Sequence, residues 1–248
     1  MLAMGPAARP ATKTPGRLGR ALVRLFMRQV RVAACETIAD RFRLITLEGS
    51  ALAGVAWTPG QKIQIAMGSA FVARTYTPIE WDPVAGRTRI LGYAHGEGPG
   101  SAWVRGLEPG AECDIFGPRH SLDVSDAAGR LAVFGDETSI GLAHALLHQV
   151  RAGPVACRFE VDDVEASRRV ATHLGLDDAI LFGRTKSDAH LEGMEAALPA
   201  SVTAGSTFVL TGKASTIQRL QQGLKRRAIP ATRIVAKAYW ATGKAGLD

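Results

Sequence analysis

The sequence predicts a β + α/β fold: a small antiparallel β-barrel followed by an open parallel sheet with crossover helices. Two observations carry this. Short segments rich in Val, Ile, Leu and aromatics, each closed by Gly or Pro turns, fill the first half. After Arg130 the rhythm changes to strands alternating with helices, the pattern of a parallel sheet.

In the first half the strands are expected at Val30–Cys35, Phe42–Leu47, Lys62–Met67, Val72–Thr77, Thr88–Tyr93 and Glu112–Phe116. Gly49-Ser50, Pro59-Gly60, Asp82-Pro83, Pro109-Gly110 and Gly117-Pro118 supply the turns. One helix interrupts them near Ser101–Gly106. In the second half strands are expected at Arg130–Phe134, Ala156–Glu160, Ala179–Phe182, Thr207–Leu210 and Arg233–Tyr239. The intervening helices are Ser139–Val150, Ala166–Leu174, Leu191–Ala197 and Ser215–Arg227. The break between the halves falls near Asp123–Gly129.

Net charge is +7, but its distribution speaks against a nucleic-acid-binding face. Seven of the thirty cations lie in residues 1–31, ahead of the first acid, Glu36, and the remaining 23 are matched by 23 acids. The basic character therefore belongs to an N-terminal arm, expected to pack on the body and to be dispensable for ligand binding. Leu18, Leu22, Leu25 and Phe26 share one helical face there, so a membrane-surface helix is the second reading. Cys35, Cys113 and Cys157 are too widely spaced for a disulfide framework or a metal site, which fits a reducing cytoplasm. No apolar run approaches the ~18 residues that would span a membrane, so integral membrane association is not expected.

Four clusters carry chemistry. On a strand, Arg74 and Tyr76 point to one face and Thr75 and Thr77 to the other. A flavin site needs a cation for pyrophosphate, an aromatic against the ring system and a hydroxyl near the redox-active nitrogen, and Arg74-Thr75-Tyr76-Thr77 holds all three. An ordinary barrel strand with a solvated Arg and a core Tyr reads the same way. Next comes His95-Gly96-Glu97-Gly98-Pro99-Gly100-Ser101-Ala102-Trp103, whose alternate glycines let backbone approach a ligand. Ser101 is the expected N-cap, with free N–H groups aimed at phosphate. The spacing is not that of a dinucleotide fingerprint.

The third cluster, Gly135-Asp136-Glu137-Thr138, sits between a strand and a helix, where parallel sheets bind ligands. Thr138 is read as the helix cap, and the two carboxylates as facing a nicotinamide or ribose hydroxyl; a capping loop without function is the alternative. Last, Tyr239-Trp240 close the final strand, either as core or as an aromatic lid over a flavin. His144 and His148 are spaced i, i+4 but lack a third ligand, and are read as partly exposed on an amphipathic helix, so no metal site is expected.

Taken in order, the Arg74–Thr77 segment, HGEGPGSAW, the GDET loop and the terminal KAYWATGK resemble the siderophore-interacting protein family, FAD-dependent ferric-siderophore reductases related to the ferredoxin-reductase superfamily. The resemblance runs over about residues 28–246. After the basic arm at 1–27, it implies an FAD-binding barrel at 28–124 and an NAD(P)H-binding α/β half at 125–248. Carried onto this chain, it puts Arg74 on the FAD pyrophosphate, Tyr76 against the flavin and Thr77 on the isoalloxazine. His95, Gly98, Pro99, Gly100 and Ser101 would hold the cofactor with Trp103 behind them, and Asp136, Glu137 and Thr138 would lie on the nicotinamide side.

The implied activity is transfer of reducing equivalents from NADPH or NADH through FAD to a ferric siderophore, releasing iron(II) without a catalytic acid or base from the chain. Lys213, Lys237 and Lys244 are candidate contacts for an anionic siderophore. A flavin reductase with another acceptor, and a binding protein without turnover, are the alternatives. The chain departs from the family pattern at Ile79, where a second arginine is common, and at Gly100, where alanine is usual. Thr211-Gly212-Lys213 stands for AGE, and Ala241-Thr242 replaces an arginine after the terminal YW.

Overall fold

The computed structural model describes residues 27–69, 72–124, 129–149 and 153–244. The N-terminal arm, with its two alternative readings, and the centre of the 123–129 break lie outside the described residues.

The first half is a seven-stranded antiparallel sheet of β1 (Arg28–Ala39), β2 (Phe42–Glu48), β3 (Lys62–Ser69), β4 (Val72–Tyr76), β5 (Pro78–Asp82), β6 (Arg87–Tyr93) and β7 (Glu112–Arg119). Their order is β4-β3-β7-β1-β2-β6-β5. The sheet encloses one apolar cluster, in which Val32, Ile45, Ile63, Ile65, Ile90 and Ile115 come from five different strands and are fully buried. Strand alternation explains it: every second residue of each strand faces this interior. The helix α1 (Pro99–Gly106) follows β6.

β5 was not expected. It begins at Pro78 and is followed by Pro83, which demotes such a run in a sequence reading. The structure puts it at a sheet edge, paired only with β6, where a missing N–H costs no ladder bond. Its Ile79, in place of a common arginine, is fully buried against Gly141 of the other half.

The second half is a five-stranded parallel sheet of β8 (Leu131–Asp136), β9 (Val155–Val161), β10 (Ile180–Gly183), β11 (Thr207–Lys213) and β12 (Ile234–Trp240), in the order β10-β9-β8-β11-β12. Helices α2 (Ile140–Gln149), α3 (Val164–His173), α4 (His190–Ala196), α5 (Leu198–Thr203) and α6 (Ala214–Arg226) cross between the strands. Of these, α5 was not expected. Six of six β8 residues are buried, as a strand covered on both faces requires.

A second apolar cluster joins the halves: Phe42, Leu44 and Ile79 of the antiparallel sheet pack with Leu131, Val133 and Phe159 of the parallel sheet and Ile140 and Leu142 of α2. His144 lies in the same seam, with Nδ1 2.8 Å from the Leu174 carbonyl and Nε2 3.3 Å from Glu80 of β5. It is buried rather than partly exposed, because α2 lies on β5; His148, one turn on, is exposed. Among the described residues no group of His, Cys, Asp or Glu could hold a metal ion, and no helix is long and apolar enough to cross a membrane.

Candidate functional site

The Arg74–Thr77 segment and the start of α1 meet. An added Cβ at Gly100 would lie 3.1 Å from Arg74 Cγ and 3.5 Å from the Tyr76 hydroxyl, so the helix N-terminus is seated on the face that Arg74 and Tyr76 share. A side chain there would press on Arg74, which would have to give by a few tenths of an ångström. Tyr76 in turn packs at 5.5 Å on Trp103 of α1, and burial raises its phenol pKa, with Arg74 opposing. Thr75 faces outward, exposed.

The helix starts earlier than expected. Pro99 occupies its first turn and Gly98 is the N-cap, with no side-chain cap. Ser101 is buried and donates its hydroxyl to the His95 carbonyl, bracing the loop rather than capping the helix. The first N–H groups of α1 therefore carry no side-chain acceptor, and Arg74 stands beside them with one guanidinium nitrogen held by its neighbour's carbonyl at 2.7 Å. This donor set fits an anionic diphosphate.

The GDET loop is built differently from its expectation. Asp136 is the cap: its Oδ1 accepts from the Thr138 backbone N–H at 2.9 Å and the Thr138 hydroxyl at 2.5 Å. Its Oδ2 accepts from the Trp240 indole N–H at 2.7 Å. Ser139 reaches back to the Asp136 N–H at 3.3 Å, closing a reciprocal capping box. Asp136 is 0% and Glu137 2% exposed, so neither carboxylate is presented to a ligand's hydroxyls. Burial raises the Asp136 pKa, partly offset by Thr138 and Trp240. The crevice between β8 and β11, where the sheet order reverses, is filled by the chain itself: a Cβ at Gly212 (φ +98°) would run into the Asp136 carboxylate, and one at Gly135 into Ser139.

Tyr239 and Trp240 are brought to both clusters. Burial first, and Asp136 also, pushes the Tyr239 pKa up to about 12, with Thr77 and Thr211 opposing. Trp240 lies 6.0 Å from the His95 ring, which stacks at 5.7 Å on Tyr93 of β6. Partial desolvation there lowers the His95 pKa, with Glu137 and Asp162 opposing. Lys213 Nζ sits 6.0 Å from the centre of the Trp240 ring. Lys237 is half-buried in β12 opposite Thr211, and Lys244 is exposed beyond the strand's end.

Comparison with known proteins bears on two of these clusters. Residues 67–122, which include Arg74–Thr77 and HGEGPGSAW, match the family model of the siderophore-interacting FAD-binding domain. The chain resembles the siderophore-interacting proteins. No curated protein matches the sequence. Among solved structures, the siderophore-interacting protein SipS of Aeromonas hydrophila is similar at 21% identity and TM-score 0.68, covering 87% of this chain and 98% of that one. The siderophore-interacting protein of Acinetobacter baumannii is similar at 17% identity and TM-score 0.72, over 88% and 92% of the two chains. Phthalate dioxygenase reductase, which passes electrons from pyridine nucleotides to [2Fe-2S], reaches TM-score 0.70 at 14% identity, over 88% of this chain and 70% of its own. At these identities the structural likeness establishes the fold alone: an antiparallel sheet followed by a parallel one.

Sequence reasoning missed two polar groups beside these rings, Tyr93, which stacks on His95, and Arg184. Arg184 directly follows β10, and its guanidinium carbon lies 5.9 Å from the centre of the Trp240 ring. A lone arginine at a strand's carboxyl end was the available signal.

Proposed function

We propose that the protein binds FAD non-covalently and passes reducing equivalents from NADH or NADPH to a ferric siderophore. The observation that carries this is the seating of the α1 N-terminus on Arg74 and Tyr76, within the segment that matches the siderophore-interacting FAD-binding family.

In this reading Arg74 and the backbone N–H groups of Gly98, Gly100 and Ser101 at the start of α1 hold the FAD pyrophosphate. Tyr76 and Thr77 meet its ring system, Trp103 supports Tyr76, and His95 and Trp240 bound the cleft. Bound, the flavin supplies the conversion between a two-electron donor and a one-electron acceptor. Overall, one NAD(P)H gives up a hydride, its two electrons reduce two iron(III) centres, and a proton is released. Iron(II) binds hard oxygen ligands less tightly, so reduction frees the metal. The chain's task is positioning and exclusion of water, and no side chain need exchange a proton with the acceptor. Lys213, Lys237 and Lys244 offer positive charge to an anionic iron complex.

A second reading, electron delivery to a small redox protein, draws on the likeness to phthalate dioxygenase reductase. One experiment separates the two: anaerobic stopped-flow absorbance of the FAD-loaded protein with each nicotinamide, then mixing with ferric siderophores and an iron(II) chelator. Flavin bleaching followed by iron(II) appearance is expected. Bleaching without iron(II) favours the other acceptor, and failure of both nicotinamides overturns the proposed electron source.

A further inference from the structure

Arg184 follows β10 at the carboxyl edge of the parallel sheet, where a cation could meet a nucleotide phosphate, yet it is spent within the chain. Its Nη1 donates to Glu137 Oε1 at 3.0 Å and to Asp162 Oδ1 at 2.7 Å, its Nη2 to Glu137 Oε2 at 2.9 Å, and its Nε lies 3.3 Å from Glu160 Oε2. Those carboxylates are held in turn. Glu160, fully buried, pairs with His190 Nε2 at 2.9 Å and accepts from the Thr216 hydroxyl at 2.6 Å. Glu137 accepts from the Asp162 backbone N–H at 2.6 Å.

The antiparallel half closes the same cluster. The Tyr93 hydroxyl lies 3.2 Å from Glu137 Oε1 and 3.3 Å from Asp162 Oδ2. Arg41, at the β1–β2 turn with φ 63°, brings Nη1 to 3.9 Å from Asp162 Oδ2. Arg184 thereby links residues following or ending β8, β9 and β10 to β6 and to the first hairpin. The cluster lies against the Tyr93–His95–Trp240 ring series.

We infer that Arg184 and Tyr93, with Arg41, are positioning residues that fix the docking of the two halves and thereby the approach of nicotinamide to flavin. Arg184 is not a phosphate ligand. The inference rests on the proposed electron source. Its physical basis is the steep dependence of transfer rates on alignment, where about 1 Å of misplacement costs roughly 10²-fold.

The test uses the full chain loaded with FAD, as wild type, Tyr93→Phe, Arg41→Ala and the Tyr93→Phe/Arg41→Ala double variant. In anaerobic stopped-flow, the limiting rate of flavin reduction should fall about 10-fold or more in the double variant, with FAD content and nicotinamide Kd changed less than about twofold. Arg41→Lys should recover most of the loss caused by Arg41→Ala. Independently of turnover, spin labels at Val84→Cys and Ile180→Cys, both exposed and one in each half, report the docking by pulsed electron paramagnetic resonance. The distance distribution should broaden in the double variant. An unchanged limiting rate, a raised nicotinamide Kd at an unchanged rate, or an unchanged distance distribution each overturns the inference. If neither nicotinamide reduces even the wild type, the electron source has failed, and the label distances alone decide the role of the cluster.

Discussion

The indole N–H of Trp240 donates to Oδ2 of Asp136 across 2.7 Å, joining the end of the last strand to the turn that opens the parallel sheet's first helix. Two motifs 104 residues apart are thus one unit. Trp240→Phe keeps the ring and removes the donor, leaving a buried carboxylate oxygen unpaired. It should lower unfolding free energy by about 1–3 kcal/mol, read as a shift of the urea midpoint at constant slope.

Arg74→Ala should leave the fold intact and weaken FAD uptake. A charge-assisted contact to phosphate contributes about 1.5–3 kcal/mol, so the Kd from fluorescence titration should rise roughly 10- to 150-fold. An unchanged Kd would remove Arg74 from the diphosphate site.

Arg184→Met should be far more damaging than either. Glu137 and Glu160 are almost fully buried and would lose their counter-charge, a loss of about 3–5 kcal/mol in thermal or urea unfolding.

A pH effect follows from Asp162. Burial works to raise its carboxyl pKa, but the hydrogen bond and charge of Arg184, with Tyr93 and Arg41, outweigh it and hold the group below the ordinary range. A depressed folded-state pKa contributes stability that is present above the unfolded value, near 4, and lost as pH falls through the folded one. Asp162→Asn should therefore flatten the dependence of Tm on pH below about pH 5, while wild type keeps a steeper acid limb.

What local pattern could carry was legible beforehand. The strands around Phe42–Leu47 and Thr88–Tyr93 and the alternation after Arg130 rest on short-range spacing, whereas the meeting of Arg74 and Tyr76 with the Gly98–Ser101 turn was implied only by the family resemblance. At two helix starts the difference lay between near-equivalent caps. Serine and threonine compete with glycine and aspartate at helix starts, and Pro99 and the reciprocal Asp136–Ser139 bonds settled the choice. The Arg184 cluster was out of reach because its partners stand 22 to 47 residues from it in sequence, with Tyr93 further still and no periodicity binding them.

Ile79 and Gly141 carry a last consequence. The isoleucine is fully buried, and a Cβ on Gly141 would press to 2.7 Å from it, so strand and helix touch with nothing between them. Around this contact the two sheets share a single apolar cluster instead of meeting through a wet, polar surface. Such halves do not melt as separate units: calorimetry should record one endotherm, and either half produced alone should aggregate through the face its partner normally covers.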